Sequence, residues 1–251
     1  MSMNSVRRRV AAVGLVFVGL AGAGCAGEHA GGGDGAVAAK QPVSRQQAAK
    51  VAVLTQNQLE DAVVDEHDLP GVTANEIGEG TDGLGNGVIK AFPSSITHPA
   101  VCAPVRDTLE GASGYAPVGS VQRTAGTPGH SAILTLVSYR PADAARVLAD
   151  LRTALRTCTA YAVDLPTVAY EDVKAVDDPA QGENSVAFGL TTVMNADSDP
   201  LRVAVGVLVK RHGSTVAVYK STADRPRKPA KLPADLIAAQ SKVLDAAVRG
   251  H

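Results

Sequence analysis

The stretch VAVGVLVKRHGSTVAVY, residues 203–219, decides the fold. Its first seven residues alternate valine with small or apolar residues, which is typical of a central strand packed on at least one face. The segment Arg211-His212-Gly213 then interrupts the pattern, and its glycine supplies the positive φ that a tight hairpin requires. We therefore predict strands at 203–210 and 214–219 joined by a hairpin, with His212 as a turn residue rather than a base.

Similar patterns on the N-terminal side of this hairpin predict further strands at 118–124, 132–139, 168–175 and 186–193. Helical periodicity of apolar residues predicts helices at 44–65, 141–159 and 233–248. Strands and helices of this kind pack as layers. The sequence thus predicts an α+β class, with an antiparallel or mixed β-sheet packed with about three amphipathic helices in a single compact domain.

The N-terminus has the features of an export signal. Arg7, Arg8 and Arg9 precede the apolar run 10–23, which ends on small residues. The run is shorter than the ~20 apolar residues that a spanning helix needs. A basic segment, a short apolar segment and a small-residue cleavage site predict a signal peptide over residues 1–24.

Cys25 follows the predicted signal peptide directly, in a context that resembles the lipobox of bacterial lipoproteins. Its thiol would accept the lipid, which places the protein at the outer face of the cell membrane, extracytoplasmic and lipid-anchored. Gly22 stands where lipoboxes favour leucine. The alternative is ordinary cleavage near Ala23 that leaves Cys25 as a free thiol, and export by the general or the twin-arginine route stays open.

The chain after the signal peptide divides into a tether and a domain. Residues 25–44 are mostly glycine, alanine and polar residues, which predict a flexible spacer. Residues 45–250 form the predicted domain. The loss of three arginines with residues 1–24 reduces the 24 basic residues to 21, against 25 acidic ones. This balance, together with the scarcity of aromatic residues, argues against a nucleic-acid partner.

Cys102 and Cys158 remain once Cys25 is assigned to the anchor. An even pair in an oxidising compartment predicts a disulfide. Cys158 lies on the apolar stripe of the helix predicted at 141–159, so the bridge would fix the segment before the first strand to that helix. Two separate buried thiols are the alternative.

No complete catalytic or metal-binding motif is present in the sequence. The histidines lack the His-x-x-x-His spacing of zinc sites. The glycines at 83, 85 and 87 lack the Gly-Lys-Ser/Thr of a phosphate loop, and Pro200 stands where the calcium-like segment 195–199 requires glycine. We expect no metal, no cofactor and no enzymatic activity. A serine or aspartate within hydrogen-bond reach of His98 or His130 would reopen the question of a hydrolase.

Two charged clusters have a simpler interpretation than a site. Glu171, Asp172, Asp177 and Asp178 flank a predicted strand and are interpreted as a solvated face rather than a pair of catalytic carboxylates. The basic run 225–231 is interpreted as a solvated linker. Contact of this run with an anionic envelope polymer or lipid headgroups is the alternative.

The order of several motifs resembles the PknH-like extracellular domain family. The resemblance covers about residues 45–250 and is carried by Leu54-Thr55 to Asp68-Leu69-Pro70-Gly71, by Pro99-Ala100-Val101-Cys102, by Ser138-Tyr139-Arg140-Pro141-Ala142-Asp143 before a helix ending at Cys158, and by the segment 209–216. Domains of this family form the external part of a mycobacterial receptor Ser/Thr kinase and occur as free-standing actinobacterial lipoproteins. The kinase version has two disulfides, whereas this chain can form only one besides the anchor.

The resemblance implies a mixed sheet with helices, a cleft that takes a small ligand, and a role in binding or sensing. We therefore expect a monomeric, lipid-anchored binding or sensing lipoprotein without catalytic activity, whose partners are the membrane and a small ligand or envelope component. A cell-envelope hydrolase and a structural or assembly lipoprotein are the alternatives. The sequence does not name the ligand-binding residues.

Overall fold

The structure is a computed structural model of the whole chain. It describes residues 52–76, 96–127, 130–164, 168–176, 182–194, 200–223 and 230–250. The predicted signal peptide and tether therefore lie outside the described residues.

The predicted hairpin of residues 203–219 is present and longer than expected. Strand β8 covers Leu201–His212 and strand β9 covers Thr215–Thr222, and they pair antiparallel from Val205 opposite Thr222 to His212 opposite Thr215. Gly213 adopts a positive φ of 61° in the two-residue turn. The interpretation of His212 as a turn residue is wrong, because β8 continues through this residue and its side chain is buried.

The described strands form one open antiparallel sheet of nine strands, in the order β1-β3-β4-β9-β8-β7-β6-β5-β2. The strands outside the hairpin are β1 Thr73–Glu76, β2 Thr97–His98, β3 Gly119–Thr127, β4 His130–Ser138, β5 Tyr161–Val163, β6 Val168–Val176 and β7 Ser185–Met194. The α+β class agrees with the prediction, but the sheet is larger than the sequence indicates. The three short strands β1, β2 and β5 have too few residues to show an alternating pattern.

Four α-helices accompany the sheet in the described residues. They are α1 Gln56–Asp61, α2 Ala103–Leu109, α3 Pro141–Leu155 and α4 Ala234–Arg249, and a short 3-10 helix at Ala100–Cys102 leads into α2. None of them is long and apolar enough to cross a membrane. Helices α3 and α4 match two predicted helices closely, whereas α2 was not predicted.

Helix α1 is much shorter than the helix predicted at 44–65, whose first eight residues, 44–51, lie outside the described part of the chain. It begins at a capping box in which the Thr55 side chain accepts the Gln58 N–H and the Gln58 side chain accepts the Thr55 N–H. The helix ends at Asp61, and the apolar residues that follow continue as irregular structure packed into the core.

The helices cover both faces of the sheet, because neighbouring residues of a strand point to opposite sides. Val207 and Val209 of β8 face a core shared with α2 and α3, whereas Leu208 between them faces a core shared with α1 and α4. We call these the α2/α3 face and the α1/α4 face. The sequence of a strand that is buried on both faces is a nearly continuous run of apolar residues. Residues 203–209 form such a run.

Cys102 and Cys158 form the disulfide that the sequence predicts, with a Cα–Cα distance of 5.2 Å. Both residues are fully buried in the α2/α3 core. The bond joins the start of α2 to the segment that follows α3, across a sequence separation of 56 residues. Closing a loop of that length contributes about 4 kcal/mol to stability in the chain-entropy model.

Gln56 protects part of one sheet edge. Its side-chain Nε2 donates to the Ser120 carbonyl, and its Oε1 accepts from the Ser120 N–H, both at 2.9 Å. These two bonds resemble those of a neighbouring strand at a position of β3 that lies beyond the residues paired with β1. Gly119 allows this approach, since a Cβ there would lie 3.0 Å from the Gln56 backbone nitrogen.

Gln240 joins α4 to the segment after α1. The side chain is fully buried, its Nε2 donates to the Ala62 carbonyl at 2.7 Å, and its Oε1 accepts the Val64 N–H at 2.9 Å. One amide therefore satisfies two buried backbone groups that lie outside regular secondary structure. This contact fixes α4 to the segment after α1 more specifically than apolar packing alone would.

We predict that Gln240→Met lowers the free energy of unfolding by about 3 kcal/mol, because it leaves a buried N–H and a buried carbonyl without partners. Denaturant unfolding followed by circular dichroism measures the change. Lys242→Met, on the exposed side of the same helix, is the matched control and should change stability little. Equal stability of the two variants would contradict the structural role of Gln240.

Candidate functional site

Several predicted features fall outside the described residues. They are Cys25, the glycine-rich segment 83–87, Asp177 and Asp178, the segment 195–199, and residues 225–229 of the basic run; the side chain of His130 is also outside. The predictions made for these residues remain predictions.

The described acidic residues of β6 form exposed ion pairs. Glu171 contacts Arg202 at 2.5 Å and Asp172 contacts Lys174 at 3.8 Å, and all four side chains are substantially exposed. Asp172 adopts a positive φ of 54° in an irregular part of β6, a conformation that aspartate tolerates better than most residues. These contacts agree with the interpretation of a solvated face.

His98 lies close to a carboxylate, which is the condition that reopens the hydrolase alternative. Its Nε2 is 3.3 Å from Oδ1 of Asp164, and the other oxygen of this carboxylate accepts the Ile96 N–H at 3.2 Å. Both side chains are exposed, at 68% and 49%. The pair has the residue types of a catalytic dyad but lacks the burial that strengthens electrostatic catalysis.

The described residues contain no group of three or more histidine, cysteine, aspartate or glutamate side chains that could hold a metal ion.

The most concentrated group of buried polar residues lies on the α2/α3 face, at the end of α2. Arg106 and Asp107 are both buried, and the guanidinium contacts Oδ1 of Asp107 through Nε at 2.7 Å and Nη2 at 2.5 Å. Burial raises the pKa of Asp107, and the contact with Arg106 partly offsets this effect. Charged residues are buried in this way only when they are paired, so α2 carries a fixed ion pair into the core.

Two tyrosines stack beside this ion pair. The rings of Tyr161 in β5 and Tyr170 in β6 lie 4.4 Å apart between centroids with an interplanar angle of 14°. Tyr161 is 4% exposed, and its hydroxyl has no hydrogen-bond partner among the described residues. Burial raises the pKa of Tyr161 and of Tyr170, and the charges of Glu110 and Arg106 also act on both groups. Both hydroxyls therefore stay protonated at neutral pH.

Lys220 of β9 reaches the same place from the centre of the sheet. Its Nζ donates to the Leu109 carbonyl, the last residue of α2, at 2.9 Å. Burial lowers the pKa of Lys220, while the carboxylate of Glu110 favours the charged form. Cations are favoured at the C-terminal end of a helix, which further supports this position.

Arg106, Asp107, Glu110, Tyr161, Tyr170 and Lys220 are here called the α2-end cluster. Glu110 is the electrostatic centre, because its charge acts on both tyrosines and on the lysine. The cluster combines a cation, a carboxylate and aromatic hydroxyls, which are groups that can form hydrogen bonds to a polar ligand. No sequence motif indicates the cluster, because its members come from α2, β5, β6 and β9.

We predict that Tyr161→Phe raises the free energy of unfolding by about 1 kcal/mol, because it removes a buried hydroxyl to which no described residue offers a partner. Thermal and denaturant unfolding measure the change. Tyr170→Phe is the matched control in the same stack, and its less buried hydroxyl makes a smaller effect the expected result. Clear destabilisation by Tyr161→Phe alone would show that the hydroxyl has a partner within the protein.

No family model matches the sequence, and no curated protein matches it. The solved structures that are similar to this chain include two from mycobacteria. The crystal structure of the extracellular domain of PknH from Mycobacterium tuberculosis shares 8% identity over 79% of this chain and 98% of that chain, with a TM-score of 0.43. The X-ray structure of a putative uncharacterized protein, the Rv0999 ortholog from Mycobacterium smegmatis, shares 16% identity over 77% of this chain and 94% of that chain, with a TM-score of 0.33. Membership of the PknH-like family stays a prediction at these scores.

Proposed function

We propose that the protein is a lipid-anchored, extracytoplasmic lipoprotein that binds or senses a polar ligand without catalysing a reaction. The main support for the binding function is the α2-end cluster, in which the buried hydroxyl of Tyr161 lies beside charged groups and has no hydrogen-bond partner in the described part of the chain. The proposal of a lipid anchor rests on the sequence around Cys25.

The location outside the cytoplasm has two independent supports. The first is the basic and apolar segment that ends before Cys25, which has the order of an export signal. The second is the Cys102–Cys158 disulfide in the core, since structural disulfides form and persist in oxidising compartments.

Ligand binding is supported by groups that natural cores otherwise avoid. A buried hydroxyl without a partner costs free energy. Burying the Lys220 ammonium also costs free energy, as the lowered pKa of this group indicates. Binding sites commonly keep buried polar groups that destabilise the folded protein, because these groups form hydrogen bonds to the ligand.

For the anchor, we predict that the protein extracted from membranes has a mass above that of the chain 25–251 by the mass of a lipid, and that Cys25→Ser abolishes both the added mass and the membrane retention. Mass spectrometry of the membrane and soluble fractions measures this.

The double variant Cys102→Ala/Cys158→Ala is the matched control, because it removes the other two cysteines and should keep the lipid. Wild-type mass and membrane retention in Cys25→Ser would refute the anchor.

For the binding function, we predict that a low-molecular-weight fraction of a bacterial envelope extract raises the melting temperature of the protein, because a ligand that binds only the folded state stabilises it. Lys220→Met should lose this shift, since it removes the cation of the cluster, whereas Lys242→Met on the exposed side of α4 should keep it. Equal shifts in both variants, or no shift with any fraction, would contradict binding at the cluster.

The contact between His98 and Asp164 favours a hydrolase as the second candidate function. Both side chains of this pair are exposed, and Asp164 also accepts the Ile96 N–H. Hydrolysis of an ester or amide by the purified protein, lost in His98→Ala, would favour this alternative over a binding lipoprotein.

A further inference from the structure

His212 is a buried histidine that connects the sheet to the C-terminal helix. Its side chain is 3% exposed, and its Nδ1 lies 2.7 Å from Oδ1 of Asp245 in α4. The Asp245 side chain is about half exposed, so its carboxylate also contacts water. The other ring nitrogen, Nε2, is buried and has no hydrogen-bond partner among the described residues.

The position of Asp245 fixes the tautomer of the neutral ring. A carboxylate accepts a hydrogen bond, so Nδ1 carries the proton and donates it to Asp245. Nε2 is then an acceptor without a donor. Protonation would place a second N–H and a positive charge at Nε2, where no described group can accept the bond. A buried charged donor without an acceptor costs more than a buried neutral acceptor.

Two charged side chains act on the ring. Asp245 approaches from α4, and Lys210 lies two residues earlier on the same side of β8. Burial is the largest influence and lowers the pKa of His212 below its usual 6.5; Asp245 opposes this effect, and Lys210 adds to it. The folded state thus binds a proton less readily than the unfolded state does. Stability that is present above pH 6.5 is therefore lost as the pH falls toward the folded-state pKa.

Protonation of His212 would destabilise the packing of α4 on the sheet, because the ring contacts this helix. This helix contacts β8 through Asp245 on His212 and through Ser241, whose hydroxyl accepts a hydrogen bond from Lys210 Nζ at 3.0 Å. Ser241 and Asp245 are four residues apart and so lie on one side of α4, beside the buried side chains of Leu236, Gln240 and Leu244. A protonated ring can regain a partner for Nε2 most directly if α4 moves and admits water.

We propose that His212 makes the docking of α4 on the sheet sensitive to pH, so that mild acidification loosens this helix while the disulfide-linked α2/α3 face stays packed. This device is independent of the proposed ligand site, because His212 and the α2-end cluster lie on opposite faces of the sheet. A protein exposed at a cell surface would thereby change its C-terminal region as the medium acidifies.

Hydrogen exchange of the full, detergent-extracted protein tests the proposal. Exchange of peptides from α4 and from α3 is measured at about pH 7.5 and about pH 5 and corrected for intrinsic rates, because this range spans the titration of histidine. We expect a severalfold loss of protection in α4 at the lower pH and little change in α3. His212→Asn keeps a donor for Asp245 but cannot titrate, so protection of its α4 should not depend on pH.

Two further variants keep the test decisive if His212→Asn folds poorly. Asp245→Asn removes the carboxylate that favours the protonated ring and so lowers the folded-state pKa of His212 further. Its α4 should therefore lose more protection on acidification than α4 of the wild type does. His67→Gln, at a fully exposed histidine, should behave as the wild type does. Equal pH dependence of α3 and α4, a response unchanged in both His212→Asn and Asp245→Asn, or constant protection of α4 in the wild type would each overturn the proposal.

Discussion

The pairing of β8 with β9 buries apolar side chains on both faces of the sheet, and the positions of the helices follow from it. Val207, Val209 and Val218 require cover on one side, while Leu208 and Tyr219 require cover on the other. A strand pair of this kind has low free energy only when both sides are shielded from water. Helices α2 and α3 shield one side, and α1 and α4 shield the other.

Local periodicity explains why the central elements could be predicted and the site could not. In the hairpin at 203–219 and in helix α3, the buried residues recur at regular strand or helical spacing within one short stretch of sequence. Strand β2 has two residues and β5 has three, so their existence depends on pairing partners far away in the chain. Helix α2 buries Arg106 and Asp107, residue types that normally mark an exposed face. Likewise, His212 appears in sequence as a polar turn residue, and its side-chain partner Asp245 lies 33 residues away in the chain.

The two faces of the sheet are held together by different kinds of interaction. On the α2/α3 face a covalent bond joins the start of α2 to the segment that follows α3. On the α1/α4 face the polar contacts are hydrogen bonds, made by Gln240, Lys210 and His212. A disulfide is not broken by a change in pH. A hydrogen bond made by a titratable group, such as that of His212, does depend on pH. The sheet thus separates a permanent layer from one whose packing can vary.

An open sheet presents unpaired backbone groups to its neighbours, and a surface-tethered protein would meet copies of itself at high lateral density. Strand exchange between such copies is the usual route to fibrous aggregates. The amide of Gln56 occupies the Ser120 backbone groups that an incoming strand would need. One side chain thereby takes up a strand-pairing position of β3 without lengthening the sheet.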